Sequence, residues 1–116
     1  MSEIESVKKN EFADKIKFDD KGLVPAIVQD VDDGAVVMLG YMNKKSVQMT
    51  LDKGLVTFWS RSRQEYWTKG ETSGNFLKLV EIFTDCDSDA ILVMAEPKGP
   101  TCHTNKRSCF SWKCVD

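Results

Sequence analysis

The chain has 116 residues, of which 41% are hydrophobic and 29% charged, and its formal net charge is −2. This length predicts a single domain over residues 1–116, with the apolar content of a globular protein. A slightly acidic chain lacks the basic surface of most nucleic-acid-binding proteins, so no nucleic-acid partner is expected. No segment approaches the roughly 18 apolar residues of a membrane span, and no secretory signal is recognisable. We therefore expect a cytoplasmic protein without a membrane partner.

The first half of the sequence predicts a short helix followed by a hairpin. Apolar residues at loosely helical spacing indicate a helix within residues 2–17. Two β-type runs, LVPAIVQDV and AVVMLGYM, then flank Asp32-Asp33-Gly34, a sequence typical of a hairpin turn.

The second half predicts one clear helix and three further strands. Asn43 is the expected N-cap of a helix through Asp52, which Gly54 ends. The runs LVTFWS, FLKLVEIFTD and AILVMAE are predicted strands, and the polar stretch Arg61–Asn75 between the first two is predicted as a long, functional loop. The pattern as a whole indicates an α+β fold of mainly antiparallel strands with one clear helix.

Cysteine and histidine are concentrated near the C-terminus. Cys102, His103 and Cys109 lie within eight positions, and thiolate and imidazole suit zinc. Their spacing differs from that of zinc fingers and fits a catalytic zinc with an open coordination position better. The alternative is that these cysteines are small buried apolar residues.

Three carboxylates alternate in the segment DCDSD, namely Asp85, Asp87 and Asp89. On an extended backbone they share one face, which indicates a hard cation such as Mg²⁺ or Ca²⁺, while Cys86 points the other way. An EF-hand loop is one alternative, with Glu96 at its last ligand position, but Ala90 stands where that loop needs glycine. A solvated acidic turn is the other.

The stretch from Trp59 to Asn75 mixes basic, aromatic and hydroxyl side chains. Arg61, Arg63 and Lys69 can bind phosphate, and tryptophan rings can stack on a base. The pattern favours a phosphate or nucleotide pocket, with an exposed strand and a solvated loop as the alternative.

Six segments, in order between Phe18 and Phe110, resemble the phosphoribosyl-AMP cyclohydrolase family: FDDKGLVPAIVQD, LGYMN, FWSRSR, WTKGETSGN, DCDSDA and GPTCHT…SCF. The resemblance implies hydrolysis of the N1–C6 bond of the adenine ring in phosphoribosyl-AMP, the third step of histidine biosynthesis. It also implies zinc, magnesium and an intertwined homodimer with active sites shared between subunits. Because the chain stops at Asp116, a monofunctional form without a fused pyrophosphohydrolase domain is expected.

Carried over by position, the resemblance implies that Cys102 and Cys109 bind zinc together with Cys86 of the partner subunit. Asp85, Asp87 and Asp89 are then expected to hold Mg²⁺. The implied substrate pocket comprises Trp59, Ser60, Arg61, Ser62, Arg63, Trp67, Lys69, Gly70, Glu71, Thr72, Ser73 and Asn75. His103, adjacent to a zinc ligand, is the expected catalytic base.

Some positions depart from the family pattern. Asn105 stands where glycine is more usual, but asparagine tolerates a left-handed backbone, so the loop is expected to keep its shape. Ser111-Trp112 replaces a more usual tyrosine. Cys114 has no counterpart and is expected to be a free thiol, with a fourth zinc ligand as the alternative. The competing hypothesis for the whole chain is a non-enzymatic, zinc-stabilised module that binds nucleotides or protein.

Overall fold

The computed structural model describes residues 4–116, and short apolar runs there form two helices and six strands. In chain order these are α1 (Lys9–Lys15), β1 (Val24–Asp30), β2 (Val36–Met42), α2 (Lys44–Lys53), β3 (Thr57–Ser60), β4 (Glu65–Thr68), β5 (Leu77–Thr84) and β6 (Ile91–Pro97). None of the helices in this part of the chain is long and apolar enough to cross a membrane.

Four strands form one sheet in the order β2-β1-β6-β5, and β3 pairs with β4 in a second, two-stranded sheet. The β1–β2, β3–β4 and β5–β6 pairs are antiparallel, whereas β1 and β6 are parallel. The predicted α+β class with mainly antiparallel strands is therefore confirmed. Each of the three antiparallel pairs is formed by strands that follow each other in the sequence, and the parallel β1–β6 pairing joins the first pair to the last.

One face of the four-stranded sheet forms the core. Val24, Ala26 and Val28 of β1 are fully buried, as are Val93 and Ala95 of β6. Burying each valine side chain contributes about 1.5–3 kcal/mol, so this alternation fixes which face turns inward.

The β3–β4 hairpin packs onto β2 through Phe58. A side chain at Gly40 would bring its Cβ within 2.5 Å of the Phe58 ring, so glycine is required there for the close approach. Phe58 in turn contacts Trp67 of β4, with the ring centroids 5.6 Å apart.

The opposite face of the sheet carries an apolar row that crosses all four strands. The strand register aligns Leu39, Ile27, Leu92 and Phe83 side by side. Leu39 and Ile27 are 41% and 37% exposed, although Ile27 lies on a central strand. This row therefore lacks a covering layer within the described chain.

The predicted helix α2 is confirmed, including its signals. The Asn43 side chain accepts a hydrogen bond from the Ser46 backbone N–H at 2.9 Å, and the Ser46 hydroxyl accepts one from the Asn43 N–H at 2.8 Å. Gly54 adopts φ +72° and ends the helix. The hairpin turn at Asp32–Gly34 is also confirmed, with Asp30 N–H donating to the carbonyl of Ala35 at 2.8 Å.

One prediction was wrong in part. The stretch Arg61–Asn75 is not one loop, because β4 (Glu65–Thr68) pairs with β3 inside it. The short β4 is stabilised by cross-strand contacts such as Trp59 against Tyr66, with centroids 4.9 Å apart, which a polar composition conceals. The short helix predicted within residues 2–17 is present as α1, so the described chain has this helix besides the one clear helix α2; positions 2 and 3 of the predicted range lie outside the described residues.

Candidate metal centre and active site

A tight turn after β6 brings Cys102 and Cys109 together. The Asn105 N–H donates to the Cys102 carbonyl at 3.0 Å, and the Cys102 N–H donates to the Lys106 carbonyl at 3.0 Å. Asn105 adopts φ +66°, so the expectation that asparagine keeps the left-handed position is confirmed. The turn brings the Cys102 and Cys109 thiols close enough for each to shift the pKa of the other.

The pKa values of the two thiols shift in opposite directions. The Thr104 hydroxyl donates a hydrogen bond to the Cys102 sulfur at 3.1 Å and lowers the pKa of that thiol. Burial raises the pKa of Cys109, and the neighbouring Cys102 adds to that effect, whereas the Lys69 ammonium opposes it. A paired arrangement of two soft donors, one already biased toward thiolate, fits zinc.

Thr101 adds a polar atom without a partner to this turn. Its hydroxyl is buried, yet it forms no hydrogen bond within the part of the chain that the structure describes. Buried hydroxyls are normally paired, so the position next to Cys102 is one where a further group is expected.

The turn is fastened to the β1–β2 hairpin by polar contacts. Arg107 forms ion pairs with Asp30 at 3.0 Å and Asp33 at 2.7 Å. The Ser108 hydroxyl donates to the Val36 carbonyl at 2.8 Å, and the Cys109 N–H donates to the Val37 carbonyl at 2.8 Å. Nothing local in the sequence predicts Arg107 as a functional residue, because its partners lie more than seventy positions away.

The ion pair between Arg107 and Asp33 persists at neutral pH. The Arg107 guanidinium is the main cause of the lowered pKa of Asp33. The stabilisation is therefore fully present above the ordinary aspartate pKa of about 4 and is lost only as the pH falls through the lower folded value.

The segment Lys69–Asn75 lies beside the cysteine turn. Lys98 N–H donates to the Phe76 carbonyl at 2.9 Å, and a side chain at Gly99 would overlap the Asn75 amide. Lys69 is only 8% exposed, and its charge acts on Cys109. Glu71, Thr72 and Ser73 are exposed, and the Gly74 N–H closes the loop onto the carbonyl of Gly70 at 2.7 Å.

The segment Ser60–Arg63 lies at the other end of the β3–β4 hairpin. Ser60 pairs with Glu65 at the turn, whereas Thr57 pairs with Thr68 next to Lys69, so the two halves of the predicted pocket are about 10 Å apart along the hairpin. The Arg61 guanidinium stacks over the Tyr41 ring at 3.9 Å, and Ser62 is exposed. The structure therefore separates the two predicted substrate segments within one chain.

The acidic residues occupy the turn between β5 and β6. Asp85, Asp87 and Asp89 each offer an oxygen, and these oxygens lie within 4.8 Å of one another. The side chain of Asp85 accepts hydrogen bonds from the Asp89 and Ala90 N–H groups at 3.0 and 3.2 Å, which close the turn. The carboxylates converge through this turn, with Ser88 at φ +62°, and the extended backbone expected for them was wrong.

The protonation of the triplet reflects crowding. Partial loss of solvent acts to raise the pKa of Asp85, but the two N–H donors outweigh it and the pKa is lowered. Hydrogen bonding with Asp87 is the main cause of the raised pKa of Asp89. Oxygen ligands in this number suit Mg²⁺. The EF-hand alternative is excluded, because Glu96 lies on β6 and no exiting helix follows.

A cavity of about 460 Å³ adjoins the triplet. Asp87 and Asp89 line it together with Lys17 and Phe18, which precede β1. The sequence did not single out Lys17 or Phe18, although Phe18 opens the first family-like segment.

Cys86 lies far from the other two cysteines within one chain. Cys86 follows β5 at one edge of the sheet, whereas the Cys109 backbone is hydrogen-bonded to β2 at the other edge. These two edge strands are about 14 Å apart, because three strand spacings separate them. Across the sheet, the strand register places Gly40 of β2 level with Thr84 of β5. Val37, which binds Cys109, lies three positions from Gly40, so Cys86 and Cys109 are also separated by at least about 10 Å along the strand direction. Cys86 and Cys109 therefore occupy diagonally opposite corners of the sheet.

The remaining candidate ligands stand apart. Among residues 4–116, the three aspartates are the only group of three potential ligands close enough to share an ion, so neither Cys86 nor Cys114 joins Cys102 and Cys109 within one chain. Cys114 is a free, exposed thiol. His103 is exposed at the tip of the cysteine turn, one position from Cys102.

A family model described as phosphoribosyl-AMP cyclohydrolase matches residues 38–111. The phosphoribosyl-AMP cyclohydrolase of Paracoccus denitrificans (strain Pd 1222) is 55% identical over 95 residues, which cover 82% of this chain and 78% of the relative. The chain belongs to the phosphoribosyl-AMP cyclohydrolase family. The relative of that name from Prosthecochloris aestuarii (strain DSM 271 / SK 413) is 48% identical over 116 residues, 100% of this chain and 84% of its own length.

Membership in this enzyme family confirms the resemblance noted in the sequence. The histidine biosynthesis bifunctional protein HisIE of Caldanaerobacter subterraneus subsp. tengcongensis is 57% identical over 96 residues, 83% of this chain but 47% of that longer protein. The matched residues of the phosphoribosyl-AMP cyclohydrolase model include the β3–β4 hairpin, the aspartate triplet and the cysteine turn.

Arg107→Ala is expected to weaken zinc binding by about 10- to 100-fold, because an outer residue that orients a ligand-bearing loop has effects of this size on metal affinity. The measurement is a competition titration with a zinc chelator. Lys44→Ala, which removes the exposed ion pair with Asp14, is the matched control and should leave zinc affinity unchanged. Equal zinc affinities for the two variants would contradict this role for Arg107.

Proposed function

We propose that this chain hydrolyses the N1–C6 bond of the adenine ring in 1-(5-phosphoribosyl)-AMP to give the phosphoribosyl-formimino-AICAR ribotide, in histidine biosynthesis in the cytoplasm. The observation that carries the proposal is that a member of this family has two separate groups of metal-binding side chains, one of thiols and one of carboxylates. Paired thiols at Cys102 and Cys109 suit a soft metal, and carboxylates at Asp85, Asp87 and Asp89 suit a hard one.

Zinc would be held by Cys102 and Cys109 of one subunit and Cys86 of another. Two thiols are too few for a zinc site, and the diagonal placement of Cys86 prevents it from supplying the third within the same chain. A second copy of the chain would supply the third thiol. A two-fold axis parallel to the sheet and perpendicular to the line from Cys86 to Cys109 would bring Cys86 of each subunit next to Cys109 of the other.

The uncovered apolar row supports the same assembly. Leu39, Ile27, Leu92 and Phe83 cross the whole sheet and would be buried between two such sheets. A diagonal axis makes the strands of the two sheets cross at a large angle, which corresponds to the orthogonal class of sheet packing. The proposed homodimer thus buries the exposed row and completes two metal sites at once.

The chemistry is addition of water to C6, followed by cleavage of the bond to N1. A zinc ion bound by three thiolates would supply a water of lowered pKa, although less acidic than on three neutral histidines. His103, one position from the proposed ligand Cys102 and exposed, would accept the proton of the attacking water and return it to N1. Its exposure leaves the imidazole free to move toward a substrate.

The basic residues would hold the phosphate groups. Lys69 is nearest the cysteine turn and is mostly buried, so its charge is little screened by solvent. Arg61 and Arg63 lie at the far end of the hairpin and would bind a second phosphate, on a substrate that carries one at each end. Mg²⁺ on the aspartates would neutralise phosphate charge. Of the two tryptophans of the hairpin, Trp59 is the better candidate for stacking, because Trp67 packs against the core beside Phe58, whereas Trp59 meets Tyr66 edge-on.

Purified protein with phosphoribosyl-AMP and Mg²⁺ is expected to give an ultraviolet change from adenine ring opening. A zinc chelator should abolish the change and added Zn²⁺ should restore it, while circular dichroism stays constant because the metal ligands lie on turns outside the core. No ultraviolet change from folded, zinc-loaded protein would refute the proposed reaction.

Mixing two inactive variants tests the shared site. Cys86→Ser and Cys109→Ser should each abolish activity, but a re-equilibrated equal mixture should regain about a quarter of the wild-type activity, because half of the dimers are mixed and each has one intact site. Cys114→Ser is the control and should remain fully active. A mixture that exchanges subunits and stays inactive would argue against the partner's contribution.

His103→Ala is expected to keep its zinc and lose activity by about 10²- to 10⁴-fold, the usual contribution of a general acid–base group. Zinc content by metal analysis and kcat by the ultraviolet assay separate the two effects. Partial recovery with added imidazole would mark loss of a proton-transfer group. Normal turnover by the zinc-loaded variant would show that another group is the base.

A further inference from the structure

The chain beyond Cys109 leaves large apolar side chains in solvent. Phe110 is 62% exposed, Trp112 99% and Val115 76%. Tryptophan is strongly buried on average, so complete exposure of its ring is unusual. We call residues 110–116 the C-terminal tail. Two local hydrogen bonds hold its first residues: the Phe110 N–H donates to the Ser108 hydroxyl at 3.0 Å, and the Ser111 N–H donates to the Cys109 carbonyl at 3.1 Å.

A groove of about 570 Å³ opens beside Cys86, at the opposite corner of the sheet. Its apolar lining includes Val7 and Phe12 from the N-terminal region and Ile82 and Phe83 from β5. A tryptophan side chain fits a space of this size. The groove and the tail are remote from each other within one chain, because they adjoin the two diagonally opposite corners.

A shared zinc would bring the tail of one chain to the groove of the other, and this step rests on the proposed function. Two sulfurs on one tetrahedral zinc lie about 3.8 Å apart. The three residues from Cys109 to Trp112 span at most about 10 Å when fully extended, and less with the turn that the Ser111 N–H makes to the Cys109 carbonyl. Trp112 of one subunit therefore lies within reach of the groove that begins at Cys86 of the partner subunit.

The charge next to Trp112 also favours this contact. Glu5, Glu81 and Asp85 line the groove, against a single lysine, Lys15. Lys113 directly follows Trp112 and would approach this acidic rim.

We propose that the C-terminal tail of each subunit docks across the dimer, with Trp112 in the partner's groove beside Cys86. The tail thereby covers one side of the metal site and ties the two chains together, while the aspartate cavity on the other side of the β5–β6 turn stays open for substrate. A buried tryptophan at the centre of such a contact is a typical energetic hot spot.

Trp112→Ala is expected to raise the dimer dissociation constant at least about 100-fold, because a two-fold dimer contains the contact twice. Sedimentation at decreasing concentration measures the dissociation constant; where the dimer is too tight for this, the rate of subunit exchange measures the dissociation rate, which should rise in parallel. Trp112→Phe should recover most of the loss. Val7→Ala should be non-additive with Trp112→Ala, whereas Val80→Ala, an exposed valine of β5 that does not line this groove, should be additive.

The outcomes separate this inference from the proposed function. A zinc-loaded, active dimer whose dissociation is unaffected by Trp112→Ala would overturn tail docking alone. A raised KM with unchanged dimerisation would also overturn it and would assign Trp112 to substrate. Two results would refute the shared site and tail docking together. One is a monomeric wild-type chain, and the other is a Cys86→Ser variant that binds zinc as tightly as the wild-type chain does.

Discussion

The strand order of the four-stranded sheet is the constraint on which the site depends. The parallel pairing of β1 with β6 places β2 and β5 at opposite edges, about 14 Å apart. The cysteine turn is bonded to β2, and the turn carrying Cys86 and the aspartates follows β5. In the proposed dimer, each chain would supply two incomplete halves of a metal site from these opposite corners. A diagonal two-fold axis makes these halves complementary, which connects the topology of the fold directly to the proposed dimer.

Each half is ordered by contacts that need no metal. Asn105 in the left-handed region closes the cysteine turn, and Arg107 joins it to the carboxylates of Asp30 and Asp33. At the other corner, the Asp85 side chain accepts hydrogen bonds from the backbone of its own turn. Preorganised ligand loops lose less conformational entropy when a metal binds. The protein therefore places its donors mainly through turn geometry and ion pairs, and the core fixes where those turns emerge.

Much of the fold is predictable because its signals are local. The α2 cap at Asn43 and the hairpin turn at Asp32–Gly34 act through residues a few positions apart, and both are confirmed. The strand β4 was missed because four residues with a polar start carry little periodicity, and their pairing with β3 supplies the stability instead. The converging aspartates were predicted on an extended strand, whereas Ser88 at positive φ turns the chain and brings the carboxylates together.

The sequence by itself determined which chemistries are available: soft donors at Cys86, Cys102 and Cys109, hard donors in the aspartate triplet, and basic residues in two segments. Their types and order also carried the family resemblance that the comparisons confirmed. Only the tertiary structure decided which donors meet. It brings Cys102 and Cys109 close together and keeps Cys86 away from both. It also gives Arg107 ion-pair partners that are more than seventy positions away in the sequence. The reason is that strand order depends on the burial of the whole sheet, which no local pattern specifies.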